Sequence, residues 1–222
     1  MSPPYLRHSD VLPQGEHTAL VEWTLANASQ FAPSRLFGGR AEATVRVSRS
    51  AGDVRSVAGS LESRVLALAG DFMQTFGMGL TPGGLELELV AYGDGGRFLR
   101  HIDTAIGEAP PDATPRALSV VYYFHREPRG FTGGALRLYG LSERDGFVDI
   151  EPQQNSLVAF PSFVAHEVLP VACPSLEWAA SRFAVNVWIH ASAPVIDAGG
   201  APAPGHSTQE GRSSGISRAS GP

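Results

Sequence analysis

Two histidines and one aspartate carry the clearest chemical signal in this sequence: His101, then Asp103 two positions later, and His166 further along the chain. Two imidazoles and one carboxylate hold iron(II) on one face and leave the opposite face open for other ligands and O2. Arg182 follows, and a guanidinium can bind a carboxylate through two parallel hydrogen bonds. The set therefore predicts a non-haem iron site that works with a dicarboxylate such as 2-oxoglutarate.

The residues around His101 indicate how two of these side chains reach the same place. Residues 85–92 alternate apolar and polar side chains, which is typical of a strand with one apolar face. A glycine-rich turn over 93–96 follows, and residues 97–103 resume as a short strand. Because residues two apart on a strand point to the same face, His101 and Asp103 are expected to project together.

Further strand patterns follow along the second half of the chain, with glycine- and proline-containing turns between them. They cover residues 117–124, 135–139, 156–161, 166–171 and 182–190. Many short strands of this kind predict a mainly β fold with flanking helices. A cupin-like jelly roll, or double-stranded β-helix, has a mouth wide enough for a metal site.

The first part of the chain carries helical patterns instead. Apolar residues recur at helical spacing over 16–30 and again over 60–76, where Ser60 is a candidate N-cap. Residues 33–55 are rich in Gly, Ser and Arg and include a candidate strand at 43–47. Residues 199–222 have the composition of a disordered tail.

These patterns divide the chain into three parts. Residues 1–80 are expected to supply helical support, and residues 81–192 the jelly-roll core, the two forming one structural domain. Residues 199–222 follow as the tail.

The stretch from Leu85 to His190 resembles the prolyl-hydroxylase branch of the Fe(II)/2-oxoglutarate dioxygenases, above all the oxygen-sensing prolyl hydroxylase domains and their bacterial relatives. The segments that carry the resemblance appear in the family's order. They are 91–92, 100–103, 121–123, 133–137, 149–152, 166–168 and 182–188.

The resemblance implies a role for each matched residue. His101, Asp103 and His166 become the catalytic iron ligands, and the presence of Asp103 indicates a hydroxylase, since related halogenases have a small residue there. Arg182 and Tyr123 become ligands of 2-oxoglutarate. Arg182 follows His166 at a wider spacing than is usual in the family, and we interpret residues 173–177 as a hairpin extension.

The resemblance also implies a substrate pocket, with a mobile lid in residues 33–55 of the 1–80 part closing over it. Tyr92, Val168 and Trp188 are expected to form its wall, and Arg100 and Arg116 its rim. The implied cofactors are Fe(II), 2-oxoglutarate and ascorbate, with O2 as co-substrate. The implied reaction is hydroxylation of an unactivated C–H bond, first of all on a prolyl residue of a peptide or protein.

Two alternatives stay open at this point. The first is a free amino acid or a natural-product intermediate as the substrate, which the sequence does not distinguish from a peptide. The second is a non-catalytic jelly-roll binding module, which the intact ligand set and Arg182 disfavour.

Composition limits the remaining classes of function. The net charge of −5 argues against general nucleic-acid binding, and no run reaches the ~18 apolar residues of a membrane span. The N-terminus lacks the apolar stretch of a signal peptide. A single cysteine excludes a disulfide within the chain, so we expect a reducing, cytoplasmic location.

Overall fold

The computed structural model describes residues 2–36, 42–52, 54–79, 81–104, 115–142 and 145–192. Within these ranges the chain forms two α-helices, two short 3-10 helices and fourteen strands. The helices are α1 (Gln14–Ala26) and α2 (Arg55–Thr75), and the 3-10 turns are Ala28–Gln30 and Trp178–Ala180. The strands are β1 (Leu6–Ser9), β2 (Ala32–Pro33), β3 (Arg46–Val47), β4 (Arg49–Ala51), β5 (Thr81–Tyr92), β6 (Arg97–His101), β7 (Arg116–Phe124), β8 (Thr132–Gly133), β9 (Leu136–Tyr139), β10 (Phe147–Ile150), β11 (Ser156–Pro161), β12 (His166–Val168), β13 (Val171–Ala172) and β14 (Arg182–Ser192).

The described strands form two main antiparallel sheets and one short ribbon. The larger sheet has the order β1-β11-β7-β14-β5-β4-β2, and the smaller has the order β10-β9-β12-β6-β3. Strands β13 and β8 pair as the ribbon. The long central strands, β7 and β14, have apolar or aromatic side chains at most positions because both of their faces are covered.

Two layers of core fix this arrangement. Between the sheets, Val121 and Ala184 of the larger sheet pack with Leu136 and Leu138 of the smaller one. On the other face of the larger sheet, its side chains pack with those of the helices, including Leu61 of α2. The predicted jelly-roll fold with buttressing helices is confirmed, because two sheets enclose one interior and the helices lie outside it.

Of the two predicted helices, the one over 16–30 is α1 followed by the 3-10 turn Ala28–Gln30, and the one over 60–76 begins earlier than predicted. α2 begins at Arg55, so the prediction that Ser60 caps it is wrong, and Ser60 lies inside the helix. The helix extends further because Ala58 continues the buried stripe that runs through Leu61 and Val65. No helix in the described ranges is long and apolar enough to cross a membrane.

The N-terminal part of the chain also adds strands to both sheets, beyond the helical support expected of it. β1 extends the larger sheet through β11, and β2 and β4 extend its other end through β5. β3 pairs with β6 of the smaller sheet. The strand expected over 43–47 is shorter, because residues 43–45 form a turn before Arg46–Val47. The predicted tail, residues 199–222, lies outside the described residues.

Candidate metal centre and co-substrate pocket

Two imidazoles face each other across neighbouring strands of the smaller sheet. His101 of β6 and His166 of β12 are partners in the strand register. The Nδ1 of His101 lies 2.8 Å from the carbonyl oxygen of Leu99, and the Nδ1 of His166 lies 2.9 Å from that of Val164. A carbonyl oxygen only accepts, so each Nδ1 carries the proton and each Nε2 keeps its lone pair.

Asp103 completes the cluster from a bend that follows β6. The expectation that it projects from a continuing strand is wrong, since β6 ends at His101. Its backbone N–H donates to the carbonyl oxygen of Ser162 at 2.9 Å and fixes the bend. Its carboxylate oxygens lie 3.6 Å from His101 Nε2 and 3.4 Å from His166 Nε2. The side chain thus reaches the two imidazoles by a turn of the backbone.

The electrostatics of this cluster suit a divalent cation. Burial, with a further contribution from His166, lowers the pKa of His101 to about 3, so this imidazole is neutral at physiological pH. Burial acts to raise the pKa of Asp103, but the two histidines and hydrogen bonds from Ser119 and Trp188 outweigh it and lower that pKa. One ligand atom from each of the three residues lies within 4.8 Å of the others. Two imidazole nitrogens and one carboxylate fit iron(II).

The Asp103 carboxylate has its own support from the larger sheet. Ser119 Oγ of β7 donates to Asp103 Oδ2 at 2.6 Å, and it also lies 2.9 Å from Ser162 Oγ. Partners of this kind orient a metal-binding carboxylate. Ser119 is not among the residues predicted for the site, although it lies on the same face of β7 as Tyr123 by strand alternation.

A buried cation lies in the same inter-sheet space. Arg182 is 1% exposed, and its Nε donates to the carbonyl oxygen of Gly134 at 2.8 Å. Its Cζ is 5.0 Å from the ring centroids of both Tyr92 and Tyr123. Tyr122, the neighbour of Tyr123, points to the opposite face of the sheet, towards His17 of α1.

Two buried polar atoms in this region have no hydrogen-bond partner among the described residues: Arg182 Nη2 and the hydroxyl of Tyr123. Burial raises the pKa of Tyr123 to about 12 against the opposing charge of Arg182, so the phenol keeps its proton. The free N–H groups of the Arg182 guanidinium and the O–H of the Tyr123 phenol can donate to one carboxylate of 2-oxoglutarate. The fit supports a co-substrate site here.

One pocket contains both the metal cluster and Arg182. Of the residues predicted to line it, Tyr92, Val168 and Trp188 do so. The remaining lining residues are Phe98, His101, Asp103, Ser119, Val120, Val121, Leu136, His166, Arg182 and Asn186.

The two predicted rim residues do not line this pocket. Arg116 lies beside it, where it pairs with Glu86 and its Cζ is 3.9 Å from the ring centroid of Trp188. Arg100 packs over the ring of Tyr139, with its Cζ 4.0 Å from the ring centroid. Since Arg100 is exposed and directed to that ring, its position gives no support to a substrate contact.

Comparisons with known proteins agree with this geometry. Residues 87–190 match the model of the 2OG-Fe(II) oxygenase superfamily. An uncharacterised PKHD-type hydroxylase of Synechocystis is 40% identical over 112 residues, which cover 47% of this chain and 36% of that protein. The chain thus spans about a third of the length of this curated relative.

Solved structures show the same fold. A prolyl hydroxylase from Trichoplax adhaerens, in complex with a peptide fragment of the hypoxia inducible factor oxygen degradation domain, matches with a TM-score of 0.65 and 23% identity, over 84% of this chain and 83% of that one. A Pseudomonas putida prolyl-4-hydroxylase matches with a TM-score of 0.61 and 22% identity, over 84% and 91%. The name of the superfamily refers to Fe(II) and 2-oxoglutarate. Residues 87–190 thus match the model of the 2OG-Fe(II) oxygenase superfamily, and the chain has the fold of these prolyl hydroxylases.

Proposed function

We propose that this protein is an Fe(II)- and 2-oxoglutarate-dependent dioxygenase that hydroxylates an unactivated C–H bond, on a prolyl residue of a peptide or protein. The observation that carries the proposal is the content of one pocket. It holds two imidazoles and a carboxylate with converging ligand atoms, and it also contains Arg182, a buried guanidinium with an unpaired nitrogen.

Different residues would bind the metal and the co-substrate. His101, Asp103 and His166 would hold Fe(II), while Arg182 and Tyr123 would bind one carboxylate of 2-oxoglutarate. When bound, the iron and 2-oxoglutarate supply the oxidising chemistry with O2, and the protein supplies orientation. Ser119 and Trp188 act on the Asp103 carboxylate through hydrogen bonds.

The apolar side chains that line the pocket keep water away from the metal site. Val168 and the Phe98 ring limit the access of water to the site. Phe98 also stacks on the His101 imidazole, with 3.6 Å between the ring centroids, and so restricts its rotation.

The choice of a prolyl substrate is supported by the relatives. The Trichoplax enzyme binds a peptide, and the Synechocystis relative is named as a PKHD-type hydroxylase. The Trichoplax enzyme is 23% identical to this chain, and the Synechocystis match covers 36% of that protein. The substrate class is therefore part of the proposal. Hydroxylation of a free amino acid or a natural-product intermediate would correct this choice of substrate.

Two further parts of the proposal concern the surroundings of the enzyme. Ascorbate would restore iron that is oxidised in turnovers without substrate. A cytoplasmic, reducing compartment suits an Fe(II) enzyme, and Cys173 is the one cysteine of the sequence. Activity with and without ascorbate in anaerobically prepared enzyme tests the first of these.

The test of the activity is succinate release from 2-oxoglutarate under air with added Fe(II). Proline-containing peptides and free amino acids are supplied in parallel, and mass spectrometry looks for the gain of one oxygen. Peptide hydroxylation supports the proposal, and modification of free amino acids alone replaces the substrate class. If neither succinate nor 2-oxoglutarate binding is detected, the chain is a non-catalytic jelly-roll module.

A further inference from the structure

Arg46 places a buried guanidinium beside Phe98 of the pocket wall, from outside the region that matches the superfamily. It lies opposite Phe98 in the register of β3 and β6, and its side chain is 5% exposed. Nη2 lies 2.9 Å from Glu88 Oε2, Nε donates to Ser48 Oγ at 2.9 Å, and Nη1 donates to the carbonyl oxygen of Arg35 at 3.3 Å. With a partner for each nitrogen, the guanidinium is held in one orientation.

Glu88 connects this guanidinium to the pocket wall. It is the direct cross-strand partner of Asn186, whose Nδ2 donates to Glu88 Oε2 at 3.4 Å. A carboxylate paired with a guanidinium only accepts hydrogen bonds, so the nitrogen of the Asn186 amide must be the atom that faces Glu88. Arg46 holds Glu88 in place, and Glu88 in turn sets the orientation of the amide.

The consequence is an acceptor on the pocket wall. Asn186 lines the pocket, and its nitrogen is directed to Glu88, so Oδ1 is the amide atom left for a ligand. Oδ1 makes no hydrogen bond to any residue in the described part of the chain. The pocket therefore offers donors at Arg182, whose guanidinium lies beside the Tyr123 ring, but an acceptor at Asn186.

The two bound molecules differ in what they can offer to this acceptor. At physiological pH, 2-oxoglutarate carries two carboxylates and a ketone, all of which are acceptors. It suits Arg182 and Tyr123 and has no donor for Asn186 Oδ1. A peptide backbone N–H, or an N–H or O–H of a small substrate, is such a donor.

We propose that Asn186 contacts the substrate that is oxidised, by accepting a hydrogen bond from one of its N–H or O–H groups, and that Arg46 and Glu88 are positioning residues that orient the Asn186 amide. The proposal rests on the proposed function and deepens it. It gives the N-terminal strand β3 a role in recognising the substrate, although that strand lies outside residues 87–190.

The orienting contacts are tested first, without any substrate. Asn27, Asn155 and Asn186 are the asparagines of the sequence, so selective 15N labelling of asparagine side chains gives few signals, and Asn186→Ser assigns the one of interest. Arg46→Met and Glu88→Met should each shift the Asn186 amide signal and speed its exchange with water, by about tenfold if one hydrogen bond is lost. Asn27 and Asn155 should not change.

Arg137→Met is the matched control. This variant also removes a guanidinium that pairs with a carboxylate, since Arg137 Nε lies 2.7 Å from Asp149 Oδ1. Neither Arg137 nor Asp149 lines the pocket. The Asn186 signal should keep its wild-type position in this variant. An unchanged Asn186 signal in both Arg46→Met and Glu88→Met, with the signals of Asn27 and Asn155 intact, would overturn the orienting role.

The second experiment separates the substrate from the co-substrate. In calorimetry with Mn(II), the affinity of Asn186→Leu and of Arg46→Met for 2-oxoglutarate should stay within about threefold of wild type. The substrate KM of both variants should rise by up to about tenfold, because one hydrogen bond to the substrate is lost. The substrate used is the compound turned over fastest in the succinate screen. The kcat should change less than KM, and Asn186→Ser, which keeps an acceptor, should recover part of the loss.

The outcomes are distinguishable. If Asn186→Leu weakens 2-oxoglutarate as strongly as Arg182→Ala does, Asn186 belongs to the co-substrate site and the proposal is wrong. An unchanged KM in Asn186→Leu would also overturn it. If the wild-type protein binds neither Mn(II) nor 2-oxoglutarate, the proposed function itself fails, while the amide signals still report whether Arg46 orients Asn186.

Discussion

Gly134 and Arg182 are in direct contact, and the contact leaves no room for a side chain at residue 134. The carbonyl oxygen of Gly134 accepts from Arg182 Nε at 2.8 Å. A β-carbon on Gly134 would lie 2.7 Å from Arg182 Cδ and 2.8 Å from Val171 Cγ2. Its φ of +70° is also a conformation that favours glycine. Residue 134 therefore positions the guanidinium that we assign to 2-oxoglutarate.

We predict that Gly134→Ala weakens 2-oxoglutarate binding while metal binding is retained, because the added carbon displaces Arg182 and the metal cluster lies on other strands. Calorimetry with Mn(II), with and without 2-oxoglutarate, measures both affinities. Gly146→Ala is the control, since its φ is also +70° but nothing lies within 4 Å of an added β-carbon. Both variants should lose about 1–2 kcal/mol of stability from the strained backbone. Equal 2-oxoglutarate affinity in the two variants would contradict the contact-based argument.

We predict that Arg182→Ala weakens 2-oxoglutarate by about a hundred- to several-thousand-fold, since loss of one partner of a buried charge pair costs about 3–5 kcal/mol. Arg182→Lys should recover only part, because a point charge replaces a planar group with several donors. Metal binding should stay close to wild type in both variants. The visible charge-transfer band of an Fe(II)–2-oxoglutarate complex provides the measurement, and His166→Ala, which removes a metal ligand, should abolish the band altogether. Wild-type co-substrate affinity in Arg182→Ala would remove Arg182 from the site.

We predict that Ser119→Ala lowers the affinity for Mn(II) by about 10- to 100-fold, the usual effect of removing a group that orients a metal ligand. The hydroxyl donates to Asp103 Oδ2 at 2.6 Å, and alanine leaves that oxygen without its partner. Ser156→Ala serves as the control, because Ser156 is equally buried and donates to the carbonyl oxygen of Gln153 outside the pocket. Manganese titration followed by electron paramagnetic resonance gives both affinities. A similar small loss in both variants would mean that Ser119 acts on stability alone.

Most of the fold could be predicted from the sequence because its long strands alternate regularly. β5, β7 and β14 lie close to their predicted ranges, since each buries at least one whole face. The short strands β1, β2 and β4 could not be predicted, and β3 is only the last two residues of the candidate strand at 43–47. With two to four residues each, they have too few positions for a period, and they are strands only because a longer strand is available to pair with.

The metal cluster was predicted from residue types and order, and the structure brings its three side chains together by a different route. Strand alternation predicts that Asp103 projects beside His101 from a continuing strand, but its backbone turns out of the sheet and is held by Ser162. Arg46 and Glu88 could not be paired from the sequence, because they come from different sheets and nothing local connects them. Contacts between sheets depend on tertiary packing, which has no signal in the spacing of residues.

A buried histidine far from the metal cluster links α1 to the larger sheet. His17 is 3% exposed, and its Nδ1 lies 2.6 Å from the hydroxyl of Tyr122. That hydroxyl donates to Asn155 Oδ1 at 2.9 Å, so His17 Nδ1 is the donor to Tyr122 and Nε2 is unprotonated. Nε2 has no hydrogen-bond partner among the described residues.

We predict that His17 makes the folded protein less stable in mild acid. Burial lowers the pKa of His17, with a further lowering by His125 and a partial opposing effect of Glu127. The unfolded chain therefore binds the proton first, and stability falls as the pH drops below about 6.5, by up to about 1.4 kcal/mol per pH unit for one proton. Chemical denaturation of metal-free wild type and His17→Gln between pH 8 and pH 5 measures the slope. His101 contributes the same loss to both proteins, so the difference between them isolates His17. The His17→Gln protein should have the shallower slope, and parallel curves would show that His17 is not the titrating group.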